Sequence, residues 1–279
     1  MTSEHVHLEK GQSNGFANDD GIHITRTETA GSLNLSMEMF EKLYLAPANR
    51  VHGDLRKTFA NPTPLPILGF LLATSPLTAA LMGWGGAGGG GAATIGTYLF
   101  FGGLLQIIGA VMEWIIGNTF PFVVFGSFGA FWLAFAATLT PFYNAEGAFI
   151  ASATSAAETA AGVEEFQASL SFFLFYMGLL VFMYVICSLR TNLIFVFMFF
   201  FLDVGVFLLA GGYIKASKGD LETYEKLSKA AGAMIFVTCV CGWYLLFAQL
   251  LQSVDFPLDL PVFDLSKKFK GASERKKKN

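Results

Sequence analysis

Residues 191–214 read TNLIFVFMFFFLDVGVFLLAGGYI, a run whose single charged side chain is Asp203. A helix apolar on every face belongs either in a large protein core or in lipid, and about 20 such residues cross the hydrocarbon of a bilayer. Working outward, five further stretches of comparable length and polarity lie at 65–82, 95–116, 119–141, 168–188 and 230–252. Only Gly117–Asn118 separates the second from the third, and only Leu189–Arg190 the fourth from the fifth, so each pair reads as a tight antiparallel hairpin. The expected fold class is all-α integral membrane with six transmembrane helices.

Composition agrees. Hydrophobic residues make up 53% of the 279 and charged ones 14%, against roughly 25% charged in soluble domains. Phe and Gly each occur 30 times, which suits helices that face lipid on one side and pack backbone to backbone on another. Gly102, Gly103, Gly109, Gly126, Gly129, Gly205, Gly211 and Gly212 recur within the spans, as a compact protomer or an oligomer would require. A net charge of −3, with no basic stripe outside the tail, gives no sign of a nucleic-acid partner. Cys187, Cys239 and Cys241 lie inside apolar runs and form neither a disulfide framework nor a metal site.

Three regions follow. Residues 1–57 form a polar arm, read as disordered and cytosolic, which holds all four histidines and a weak interfacial helix over 37–45. Residues 58–253 form the transmembrane domain, and 254–279 a basic cytosolic tail that enforces topology or binds anionic lipid head groups. Met1 to Ala30 lacks the apolar core of a cleavable signal, so the first span is expected to act as its own insertion signal. The arm holds six Lys/Arg and the tail seven, whereas the 144–167 loop holds none. The positive-inside rule then places both termini in the cytosol. Lys215, Lys218, Lys226 and Lys229 dissent, partly balanced by Asp220, Glu222 and Glu225. The glycine-rich turn 83–91 lacks the Lys of a phosphate loop and reads as an extracellular hairpin.

Chemistry inside the membrane is sparse. The spans contain no His, which argues against zinc or triad catalysis, and no enzyme activity or cofactor is expected. Glu113, Asp203, Asn61, Gln106 and Asn118 are the substrate-binding or coupling candidates. A carboxylate at the bilayer centre costs about 2.5–3.5 kcal/mol on insertion scales. Asp203 is therefore either a proton-linked group lining a path or a protonated acid bonded to a neighbouring helix. Glu113 is either an interhelical hydrogen-bonder or part of the transport route. The prolines Pro62, Pro64 and Pro66 admit two readings of the first span: an irregular dip whose helix start faces an anion, or a Pro-rich helix start at the interface.

At these residues a resemblance becomes specific. Asn61–Pro62–Thr63–Pro64–Leu65 followed by Gly69–Phe70 resembles the Asn-Pro-Ala-Pro-Leu signature of the acetate uptake transporter family, also called the succinate–acetate permease family. Phe101–Gln106 is similar to its Gly-Gly-x-x-Gln element. Glu113 with Gly117–Phe120 resembles its Glu…Gly-Asn-Thr-Phe turn, Ser127–Trp132 its Ser-Tyr-Gly-x-Phe-Trp block, and Phe199–Leu209 its Phe-rich fifth span. The five blocks run in order over residues 58–252, and the long arm resembles fungal members.

The resemblance implies a six-helix protomer around its own pore, assembled as a homohexamer in the plasma membrane. Its substrate would be acetate or another short monocarboxylate, with protons as a further partner, and Phe70, Phe128 and Leu202 would form the apolar constriction. Two residues depart from the pattern: Phe128 stands where Tyr is usual and Pro66 where Gly is common, and both bear on substrate range. An apolar neck passes a short alkyl tail and excludes hydrated inorganic ions by dewetting. Acetic acid titrates near Glu, at roughly 4–5, so apparent proton coupling can arise without a dedicated relay. The alternatives are an anion or ammonium channel and a non-transporting acetate sensor on the same fold.

Overall fold

The computed structural model of the chain describes residues 55–265 and Lys268. The arm up to residue 54, with its histidines and the helix expected over 37–45, and the basic cluster Arg275–Lys278 lie outside the described residues. Among the described residues, six helices are long and apolar enough to cross a membrane: α1 Pro64–Met82, α2 Gly89–Ile115, α3 Thr119–Leu139, α4 Ala156–Ser188, α5 Leu193–Ala216 and α6 Leu221–Ser253. At 19 residues, α1 spans roughly 28 Å, close to the thickness of a hydrocarbon core. Neighbours in sequence pack as neighbours in space from α1 to α3 and from α4 to α6, and α6 returns to α1. The ring closes between α3 and α4 through aromatic contacts, with Phe131 stacked on Phe173 and Phe128 against Tyr184.

Two helices begin earlier than the hydropathy indicates. Instead of 168, α4 starts at Ala156, and instead of 230, α6 starts at Leu221. Apolar runs reveal only the lipid-facing part of a helix, whereas its polar first turns are announced by caps. Ser155 accepts from the Glu158 N–H while Glu158 accepts from the Thr154 N–H and hydroxyl, close to a capping box. Asp220 accepts from the Thr223 N–H at the start of α6. Much of the expected 144–167 loop is therefore helix. The dissenting lysines are largely paired: Lys215 with Asp220, Lys226 with Glu222 and Lys229 with Glu225.

At the head of α1, the Asn61 side chain accepts from the Thr63 N–H, and the helix runs regularly from Pro64, with Pro66 in its first turn. The segment is thus a Pro-rich helix start. Pro66 seats its ring where Gly109 has no side chain; a Cβ there would lie 2.5 Å from the ring. Gly69 lies against the backbone of α2, since a Cβ on it would come within 2.4 Å of the Phe101 carbonyl oxygen. That stretch of α2, Tyr98–Leu105, is π-helical, a local widening that often marks functional positions. Gly102 meets the ring of Trp132 on α3 in the same way. The turn after α1 and the first residues of α2 hold six glycines at positive φ between Gly83 and Gly91, a backbone that side chains resist.

Beyond α6, the chain folds back across the α4–α5 turn. The Leu193 N–H donates to the Phe263 carbonyl and the Leu265 N–H to that of Thr191, forming an antiparallel bridge of Asn192 with Asp264. Val262 and Leu265 are buried beneath it, and the Tyr244 hydroxyl donates to the Pro261 carbonyl.

The α1–α2 contact makes a direct prediction. Gly69→Ala sets a methyl against backbone that cannot swing away and should destabilise the detergent-solubilised protein by about 1–3 kcal/mol. Gly96→Ala, whose methyl meets nothing within 4 Å, should leave the melting temperature unchanged or raise it.

Candidate functional site

Inside the ring lies a small cavity of about 30 Å³. Its wall is built from α1 (Ile67, Phe70), α2 (Gln106), α3 (Val124, Phe125, Phe128), α5 (Phe195, Met198, Phe199, Leu202) and α6 (Thr238). Helical spacing explains the α5 contribution: 195, 198, 199 and 202 follow the i, i+3, i+4, i+7 rule and share one face. Phe70, Phe128 and Leu202 thus meet at one place, the first two rings edge to face with centroids 5.7 Å apart. The space holds about two or three waters.

A second cavity of about 20 Å³ lies toward the end of the bundle where α1 begins. It shares Val124, Phe125, Phe195 and Phe199 with the first and adds Thr63, Phe120, Pro121 and Thr191. The two form a file that runs from a polar end of the bundle to the apolar neck.

Polar groups divide into two sets. Gln106, fully buried, and Thr238 are on the neck. The Gln106 Nε2 donates to the Gly102 carbonyl at 2.8 Å, and its Oε1 is buried with no partner. The Thr238 hydroxyl donates to the Met198 carbonyl at 3.0 Å. At the α1 end, Glu113 is fully buried and holds three elements together. The Thr63 hydroxyl donates to one carboxylate oxygen at 2.6 Å and Asn118 Nδ2 to the other at 2.6 Å, while the Asn118 N–H donates to the Glu113 carbonyl. For Glu113 the geometry is that of the interhelical hydrogen-bonder. Asn61 serves the helix start, as described above, and lines neither cavity.

Asp203 follows Leu202 in the chain but is not among the wall residues of either cavity. It is buried, and its Oδ1 has no hydrogen-bond partner. Of the signature residues, Pro62 is buried beneath the turn, Pro64 opens α1, Leu65 is half-buried and Gly69 makes the close approach to α2.

Reading the sequence missed Thr63 and Tyr184. Thr63 was legible as the one departure inside the signature, Thr where the pattern has Ala, and its hydroxyl is what reaches Glu113. Tyr184 comes from α4, which has no signature block. Its ring packs on Phe120, Phe128 and Phe199, and its hydroxyl shares a hydrogen bond with Ser127 at 2.9 Å. The phenol absent at position 128 thus has a counterpart one helix away.

Glu113→Leu strips Thr63 and Asn118 of their acceptor, at about 1–3 kcal/mol for each buried donor left unpaired. It should lower thermal stability in detergent far more than Glu113→Gln, which keeps one oxygen.

Comparison with known proteins bears on this geometry. Residues 45–267 match the model of the GPR1/FUN34/yaaH family. Protein alcS of Aspergillus fumigatus is 43% identical over 251 residues, 89% of this chain and 91% of that protein. Acetate permease A of Emericella nidulans is 32% identical over 208 residues, 74% of this chain and 66% of that one. Among solved structures, the bacterial acetate channel SatP superposes with a TM-score of 0.56 at 25% identity, over 73% of this chain and 99% of the other. The acetate-transporter resemblance read from the motifs holds, and the chain belongs to the GPR1/FUN34/yaaH family.

Proposed function

We propose that this protein moves acetate and related short monocarboxylates across the plasma membrane, with protons linked to the flux, through the neck formed by Phe70, Phe128 and Leu202. The observation that carries the reading is the convergence of three residues from α1, α3 and α5 on one cavity inside a ring of membrane-spanning helices. Relatives named as an acetate permease and an acetate channel support the choice of cargo.

The same reading places both termini in the cytosol. The arm and tail together carry thirteen basic residues. Three of the four lysines near the opposing loop face acids, which weakens their pull on topology. A homohexamer with one pore per protomer remains part of the proposal.

Uptake of labelled acetate into vesicles holding the purified protein tests the function: saturable, protein-dependent uptake is expected, and its absence from correctly folded protein would leave a sensor role on this fold. Phe70→Ala and Leu202→Ala should each widen the neck and admit lactate or succinate; an unchanged acid panel in both would move the neck elsewhere. Because Asp203 lies off the wall, Asp203→Asn should keep the native pH profile of uptake, whereas loss of that profile would make it the proton carrier.

A further inference from the structure

We infer that residues 256–265 are a releasable strap: docked across the α4–α5 turn, they pin the head of α5 and hold the file of cavities narrow. This adds regulation to the proposed acetate function and rests on it.

The strap grips the turn by its backbone and is anchored by side chains. The Leu193 N–H, one of the N-terminal donors that α5 itself cannot satisfy, donates to the Phe263 carbonyl, and the Leu265 N–H donates to the Thr191 carbonyl. Val262 and Leu265 are buried, and the Tyr244 hydroxyl of α6 donates to the Pro261 carbonyl at 2.8 Å. These contacts fall on residues that shape the file. Thr191 walls the second cavity, and Phe195 and Phe199, in the first two turns of α5, wall both. The Phe195 N–H is capped by Asn192, the residue that bridges to Asp264 of the strap. A helix carries a displacement of its first turn along its length, so release of the strap frees the two rings that the cavities share.

Docking carries built-in costs. Phe263 stands at φ 55, in the left-handed region that a bulky side chain rarely occupies. Its ring is 58% exposed, so packing does little to offset that backbone. Asn192 is fully buried, and its Nδ2 has no hydrogen-bond partner among the described residues; a strap that lifts off opens this donor to water. Apart from the single bridge, residues 256–265 adopt neither helix nor strand, so few internal bonds keep the segment in place. Segments held by a few contacts open locally while the rest of a protein stays folded. Two backbone bonds, two apolar anchors and one tyrosine set against a strained residue and an unpaired amide make the balance that a two-state element needs.

The test reads docking and flux separately, on the full-length protein. Val262→Cys reports docking through its reaction with a soluble maleimide, followed by mass spectrometry apart from the native cysteines. In that background Leu265→Asp should speed labelling about tenfold, and Phe263→Gly, which enters the left-handed region freely, should slow it about tenfold. Equal labelling in all three overturns the strap as a switch. In vesicles, Leu265→Asp should raise the initial rate of labelled acetate uptake severalfold and Phe263→Gly should lower it. Opposed shifts in labelling with an unchanged rate would make the strap a structural clasp and overturn its control of flux. Should Leu265→Asp not fold, Tyr244→Phe removes one bond, keeps the ring and makes the same test in the same direction. Uptake absent from native protein and variants alike, with the labelling pattern intact, overturns the acetate function and not the docking of the strap.

Discussion

The closeness of α1 to α2 sets the rest of this molecule. Lipid offers no hydrophobic drive for helices to associate, so they hold by van der Waals contact and hydrogen bonds that demand close backbones. Gly69 against the Phe101 carbonyl and Pro66 in the notch of Gly109 provide that closeness. The next residue after Gly69 is Phe70, so the contact that joins the helices also aims a phenyl ring at the cavity. The wider π-helical turn of α2 begins at Tyr98, which stacks on Trp132, and ends where Gln106 takes its place on the wall. The position of the cavity and the chemistry of its wall are both consequences of one packing arrangement.

The polar groups follow a second rule: inside the membrane each must find a partner within the protein or perform a task. Glu113 follows the first course. Two donors from separate elements engage its two oxygens, and the carboxylate becomes a rivet at the end of the bundle. Gln106 differs, with its amide nitrogen fixed on the Gly102 carbonyl and its oxygen unpartnered on a residue of the cavity wall. The outward faces carry Phe, Leu and Trp, with Phe100, Phe172, Phe182 and Phe247 all exposed on the isolated protomer. The abundance of phenylalanine therefore has two uses, one toward lipid and one toward the cavity.

Much of the fold was legible in the residues. Hydropathy located every span, and the hairpins at Gly117–Asn118 and Leu189–Arg190 fall where two residues alone interrupt apolar runs. It missed the polar opening turns of α4 and α6, because a helix leaving the bilayer loses its apolar signature while keeping its hydrogen bonds. The cap residues Ser155, Glu158 and Asp220 carried that signal instead. The Pro-rich head of α1 stayed ambiguous, since a proline restricts the backbone without saying whether the turn meets water or protein.

What the sequence determined by itself is the class of molecule: apolar runs of bilayer length leave a helix no other solvent, and the ordered blocks from Asn61 to Leu209 identify the family. Tertiary structure decided which of the few polar residues share a cavity. Gln106 joined Phe70, Phe128 and Leu202 there, Asp203 did not, and Glu113 found Thr63 fifty residues away in the chain. Spacing along one helix determines the face on which a residue lies, but only the rotation and approach of the neighbouring helices determine what that face meets.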